Sequence, residues 1–72
     1  MRNGVRTERL IDERLKKRLY QKDMAKRLGY NSTMTYSYIE RGVTNPTLNQ
    51  MNRISEILDK PVSYFFDIRE QK

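Results

Sequence analysis

Residues 21–42 read QKDMAKRLGYNSTMTYSYIERG, two short segments separated by a turn that contains a glycine. The first segment, 21–28, has its apolar residues one helical turn apart, and Gly29 follows where helices commonly end. The second, about 33–41, is rich in Thr, Ser and Tyr, which are mediocre helix formers. Ser32 offers a hydroxyl that can cap its first turn. The pattern predicts two helices joined by a tight turn, the second with an unusual surface.

The second helix is predicted to have two different faces. Tyr36, Ile39 and Glu40 are spaced i, i+3, i+4 and share the side that packs. The opposite side contains no acid and comprises Thr33, Met34, Ser37, Tyr38 and Arg41. These groups can hydrogen-bond base edges, contact thymine methyls and bind backbone oxygens without repelling phosphate. Because a helix-turn-helix presents such a face to the major groove, we predict that this side contacts DNA.

The rest of the chain predicts three further helices and no strands. Apolar residues in steps of four mark a first helix, along the stripe Leu10, Ile11, Leu15 and Leu19. Asn45 can cap a fourth helix, since Pro46 fits the first helical position, and Pro61 can open a fifth. We therefore expect an all-α five-helix bundle with helices at about 7–18, 21–28, 33–41, 46–58 and 62–68, between a flexible arm at 1–6 and a tail at 69–72.

The charge of the 72-residue chain is +6 and unevenly spread. Residues 1–42 hold eleven basic and five acidic side chains, whereas residues 43–72 hold four of each. A positive first half suggests a polyanionic partner, although a solvated basic surface explains the same asymmetry.

Several functional classes lack the residues that they need. The chain has no cysteine and no histidine, so disulfides, thiolate metal sites and the commonest general base are excluded. No glycine-rich phosphate loop or metal-spaced acid cluster is present. We expect a non-enzymatic protein with no cofactor, metal or small-molecule substrate. No apolar run approaches the ~20 residues that span a membrane, so we expect a cytoplasmic location.

The segment QKDMAKRLG followed by TYSYIERGVTNPTL resembles the phage-repressor helix-turn-helix family, the Cro/CI or XRE class of transcriptional regulators. The resemblance runs from about Leu10 to Phe66, and the ending KPVSYFF is similar to the fifth helix of such proteins. Its strongest pieces are Gln21, Ala25, Gly29, Ile39-Glu40-Arg41-Gly42 and Asn45-Pro46.

The resemblance implies a role for each matching position. Base contacts in the major groove would come from Thr33, Met34, Ser37 and Tyr38. Phosphate contacts would come from Gln21, Arg41, Thr44 and Asn45. Gln21 would also brace the recognition helix at about 33–41. Glu40 matches an acid that pairs with an arginine of the first helix, here Arg14.

The sequence departs from the family pattern in three places. One more residue than usual separates the turn glycine from the Ile-Glu pair, and we assign it to the turn at Tyr30-Asn31. Tyr36 stands where an aliphatic residue is usual, so its hydroxyl needs a partner. Glu13 replaces an apolar residue of the first helix, and Leu15 is expected to compensate.

The C-terminal aromatic segment predicts a partner surface, because Tyr64, Phe66 and Ile68 cannot all be buried in so small a domain. The resemblance implies a two-fold contact here, and hence a homodimeric repressor reading a palindromic operator in double-stranded DNA. The alternative is a protein-interaction module, such as an antitoxin, with another protein on the same surface.

Overall fold

The computed structural model of the chain describes residues 4–66 and confirms an all-α fold. Its helices are α1 (Thr7–Lys16), α2 (Gln21–Leu28), α3 (Thr33–Glu40), α4 (Leu48–Leu58) and α5 (Val62–Phe65). Within the described range, extended pairing is limited to one isolated antiparallel bridge between Val5 and Phe66. None of these five helices is long and apolar enough to cross a membrane.

A single core draws on every helix. Its buried residues within 4–66 are Leu10, Met24, Ala25, Tyr36, Ile39, Met51, Ile54, Leu58 and Phe65. Burying one large apolar side chain stabilises a fold by about 1.5–3 kcal/mol. Since so few side chains form this core, each of them carries a large share of the stability.

The turn between α2 and α3 is set by one residue on each side. Gly29 ends α2 in the left-handed conformation with φ 81°, which a side chain would disfavour. The Tyr30 amide then donates to the Ala25 carbonyl over 2.9 Å, which closes the helix end. Ser32 begins α3 by accepting the Met34 amide on its hydroxyl over 3.1 Å. The turn therefore comprises residues 29–32 and includes both Tyr30 and Asn31.

Helix α4 begins two residues later than the sequence predicted, and Asn45 is not its cap. Thr47 occupies that position: its hydroxyl accepts the Gln50 amide over 3.1 Å. The Gln50 side chain in return accepts the Thr47 amide over 2.8 Å. This reciprocal pair satisfies two amides, whereas Asn45 before Pro46 offers only one acceptor. The prediction overlooked the Thr-x-x-Gln spacing.

Three other helix ends also differ from the prediction. Helix α5, predicted to reach residue 68, ends at Phe65, because Phe66 is extended and bridges to Val5. Helix α1 ends at Lys16 because Arg18 adopts φ 60° and the Leu19 amide turns back to the Arg14 carbonyl at 3.1 Å. Helix α3 ends at Glu40, and Arg41 is the cap residue that follows.

The segment predicted to be a flexible arm pairs with the end of α5 where the structure describes it. Residues 4–6 run beside the end of α5, with Val5 bridging to Phe66 and the Arg6 amide donating to the Phe65 carbonyl over 2.7 Å. Extended backbone at residues 4–6 therefore satisfies a carbonyl at the end of α5, and the flexibility of the arm stays a prediction. Residues 1–3 lie outside the described range.

Leu15 does not compensate for Glu13, contrary to the prediction. Leu15 is 59% exposed, whereas Glu13 is buried. The Glu13 carboxylate accepts a hydrogen bond from the Tyr64 hydroxyl at 3.4 Å and lies 3.4 Å from the Lys16 ammonium. A buried carboxylate needs such partners, and α5 and α1 supply them.

Candidate nucleic-acid interface

Helix α3 separates its side chains as the sequence predicts. Met34 and Tyr38 are 48% and 38% exposed, Thr33 is exposed and Ser37 is partly buried. Their acid-free side lies opposite the core residues Tyr36, Ile39 and Glu40, which are buried. The protein therefore presents hydroxyl, thioether and phenol groups from one helix to the outside.

The orientation of α3 depends on the buried carboxylate of Glu40. Arg14 donates to both of its oxygens, from Nε to Oε2 over 2.7 Å and from Nη2 to Oε1 over 3.1 Å. The third Arg14 donor, Nη1, binds the Leu19 carbonyl over 2.9 Å. The pair is shielded from water, with side-chain exposures of 10% for Arg14 and 2% for Glu40. Hydrogen bonding to Glu40 raises the pKa of Arg14, so the guanidinium stays charged.

Gln21, the first residue of α2, is hydrogen-bonded to Glu40, the last residue of α3. Its Nε2 donates to Oε1 of Glu40 over 2.9 Å, and its side chain is partly buried. The carboxylate thus receives three hydrogen bonds from two different helices. Gln21 braces α3 in this way, as the resemblance implies.

The loop after α3 folds back onto the end of that helix. The amides of Val43 and Thr44 both point at the Tyr38 carbonyl, at 2.9 and 3.4 Å. Gly42 permits this turn with φ 76°. Arg41, Thr44 and Asn45, the residues with implied phosphate contacts, are all exposed along the loop.

Two pairs of a tyrosine and a cation include the chain neighbours of Gln21 and Glu40. The Arg41 guanidinium lies 5.5 Å from the centre of the Tyr38 ring, and the Lys22 ammonium lies 5.6 Å from that of Tyr20. Tyr20 is 69% exposed and was given no role from the sequence. Its only sequence signal is an aromatic residue placed directly before the start of α2.

The basic residues differ in whether an acid neutralises them. At the end of α1, Lys16 lies 3.5 Å from Asp12, and Lys17 lies 3.7 Å from Asp59. Lys22 and Arg41, in contrast, make no ion pair with any carboxylate in the described part of the chain. Positive charge is therefore unpaired beside the exposed side of α3, where an anion could approach.

The comparison with known families agrees with this geometry. A family model for the helix-turn-helix matches residues 10–65, which covers most of the chain. The chain belongs to the Cro/CI-type (XRE) helix-turn-helix family. It is therefore a DNA-binding transcription regulator of this type. No curated protein matches it.

Tyr36 places a hydroxyl group in the apolar core of this helix-turn-helix protein. The Tyr36 hydroxyl is buried beside the Glu40 carboxylate and makes no hydrogen bond of good geometry to any described residue. Glu40 lies nearby, but its oxygens already accept from Arg14 and Gln21. Burial, and then the neighbouring carboxylate, raise the pKa of Tyr36 well above its ordinary value of 10.0.

Replacing Tyr36 with phenylalanine is expected to raise the free energy of unfolding by about 1 kcal/mol at pH 7, because an unpaired buried hydroxyl is removed. The gain should increase above the ordinary tyrosine pKa of 10.0, where the unfolded wild-type chain loses a proton that the fold retains. Wild-type stability thus falls with rising pH, and the variant's falls less. Urea unfolding at neutral and alkaline pH measures this, with exposed Tyr20→Phe as control. Lower stability of Tyr36→Phe at pH 7 would contradict it.

The predicted dimer surface of this helix-turn-helix protein is partly occupied by its own side chains. The Tyr64 ring has the Arg9 guanidinium at 4.6 Å and the Lys60 ammonium at 5.2 Å. The Phe65 ring packs against it in a T-shaped arrangement with the ring centres 5.2 Å apart, so Tyr64 is partly buried. Phe66 is also partly buried, and Ile68 lies outside the described residues.

Proposed function

We propose that α3 lies in the major groove and reads bases through Thr33, Met34, Ser37 and Tyr38. The observation that carries this proposal is the exposed side of α3, which contains no acid. A solubilising helix would carry Glu and Lys there. Hydroxyl and phenol groups can donate and accept at base edges, and the Met34 thioether can contact a thymine methyl.

Phosphate contacts on either side of the groove are proposed for Gln21, Arg41, Thr44 and Asn45. Arg41 is exposed without an acidic partner, and the loop that follows it exposes the other two polar side chains. Gln21 lies 2.9 Å from Glu40, so a phosphate bound there would touch the group that braces α3. Such contacts position the protein on the duplex but do not specify sequence.

We further propose that the regulator acts as a homodimer on a palindromic operator. The contact would involve Phe66 and Ile68, together with the part of the Tyr64 side chain that stays exposed. Two-fold pairing would place two α3 helices about 34 Å apart, which is one turn of DNA.

Selection of bound sequences from a random DNA pool tests the target and the stoichiometry together. We expect a two-fold-symmetric motif with half-site centres about one helical turn apart. Repeating the selection at a second salt concentration should lower all affinities, with log K falling by ~0.9 per phosphate neutralised for each unit of log salt.

The outcomes of the selection separate the proposed function from its alternative. A single asymmetric half-site would remove the dimer and leave the assignment of α3 in place. Enrichment of no sequence would overturn base reading by α3. If a different small protein co-purifies and is released by Phe66→Asp, the C-terminal surface belongs to a protein partner instead of a second copy.

A further inference from the structure

The Tyr38 and Arg41 side chains form one unit on the exposed side of α3. They are three residues apart, which places them on the same side of the helix, and the guanidinium carbon lies 5.5 Å from the ring centre. A cation within about 6 Å of an aromatic ring is attracted to its face. Arg41 also has no carboxylate partner among residues 4–66 that would draw it away from the ring.

A second restraint holds the backbone of Tyr38. Its carbonyl accepts the amides of Val43 and Thr44, at 2.9 and 3.4 Å, so the loop that contains Arg41 is anchored at the same residue. Arg41 itself donates its amide to Ser37 over 3.0 Å. Both residues are thus attached to hydrogen-bonded backbone, which keeps the starting points of the two side chains close together.

This arrangement limits what Tyr38 can present. A tyrosine on an open helix surface moves among rotamers on the picosecond to nanosecond scale. A guanidinium beside the ring favours one of these rotamers. The part that stays open, 38% of the residue, would then meet DNA in a fixed direction. Preorganising a contact of this kind reduces the entropy lost on binding.

We propose that Arg41 is a positioning residue for sequence recognition, because it holds Tyr38 in the orientation that reads the base. This rests on the proposed function of α3. It assigns to Arg41 a role beyond neutralising phosphate: the residue also determines which base pair is preferred at the position facing Tyr38.

The experiment measures relative affinities of the full chain for the selected operator and for operators with single base changes. Arg41→Ala should lower discrimination at the Tyr38 position by about two- to five-fold per protomer, the range that exposed cation–π contacts correspond to. Discrimination at the other positions should stay the same. The salt slope should also flatten, because a cation is lost.

Two further variants separate charge from stacking. Arg41→Lys keeps the charge and can still approach the ring, but lacks the planar group, so it should retain the salt slope and part of the discrimination at the one position. Lys26→Ala removes an exposed charge from α2 and should leave the pattern of preference unchanged. Unchanged discrimination at the Tyr38 position in Arg41→Ala would overturn the proposal.

The stack can also be measured without DNA. In the wild-type protein, ring current from Tyr38 should shift the NMR signals of the Arg41 side-chain protons, and Tyr38→Leu should abolish that shift. Absence of the shift overturns the positioning role. If Arg41→Ala weakens binding equally to all operators and leaves discrimination at the Tyr38 position unchanged, the positioning role is overturned but base reading by α3 stays intact. If the wild-type protein discriminates no sequences, the proposed function fails and the positioning role fails with it.

Discussion

Glu40→Ala is expected to lower the free energy of unfolding by about 3–5 kcal/mol, because it leaves the Arg14 guanidinium buried without its carboxylate. The loss extends beyond the ion pair. Gln21 also donates to Glu40, so the variant breaks the link between α1 and α3 and the link between α2 and α3 together. For a domain with a core of this size, such a loss can approach the whole stability.

Urea unfolding followed by circular dichroism measures the effect, with Glu56→Ala as the matched control. Glu56 is an exposed glutamate on α4, and its removal should change stability by no more than about 0.5 kcal/mol. The double variant Arg14→Met, Glu40→Leu should be more stable than Glu40→Ala, because no buried charge remains unpaired. A loss below about 1 kcal/mol in Glu40→Ala would indicate that water reaches the pair and would contradict its burial.

Phe65→Ala is expected to destabilise the domain by about 3–5 kcal/mol, the range for removing a fully buried aromatic ring. Phe65 is completely buried, and it is the one residue of α5 in the core. Its carbonyl also accepts the Arg6 amide, so loss of the ring loosens the pairing of residues 4–6 as well.

The neighbouring Phe66 gives the control for this prediction. It is only partly buried, so Phe66→Ala should cost less than half as much in the free energy of unfolding. If Phe66 contributes to the proposed dimer, its variant should instead weaken self-association, measured by sedimentation at several concentrations. Equal destabilisation by the two variants would show that both rings belong to the core.

The sequence predicts the turn between α2 and α3 better than the start of α4 or the burial of Glu13. The difference lies in whether single residues or pairs of residues determine the feature. Gly29 and Ser32 determine the turn through their own backbone and hydroxyl chemistry, which sequence alone reveals. Pro46 favours Asn45 as the cap of α4, but the reciprocal hydrogen bonds between Thr47 and Gln50 start the helix two residues later. The burial of Glu13 could not be predicted, because its partner Tyr64 is 51 residues away.

In the candidate site, too, features set by helical spacing are predictable and contacts between side chains are not. Helical spacing alone separates the exposed and buried sides of α3, and the structure places them accordingly. The resemblance implied that Gln21 braces α3, but nothing in the sequence indicated Glu40 as its partner, since 19 residues separate them. The stack of Arg41 on Tyr38 depends on rotamers, and no spacing rule specifies those. Sequence therefore predicted the groups on the surface and not their couplings.

The separation of core residues from exposed residues along α3 has an evolutionary consequence. Tyr36, Ile39 and Glu40 anchor the helix from beneath, and none of them belongs to its outward side. Mutations at positions 33, 34 and 38 can therefore accumulate with little penalty for folding. A duplicated copy could drift to a new operator in a few steps while its scaffold stays intact, and the same property makes this domain suitable for laboratory reprogramming.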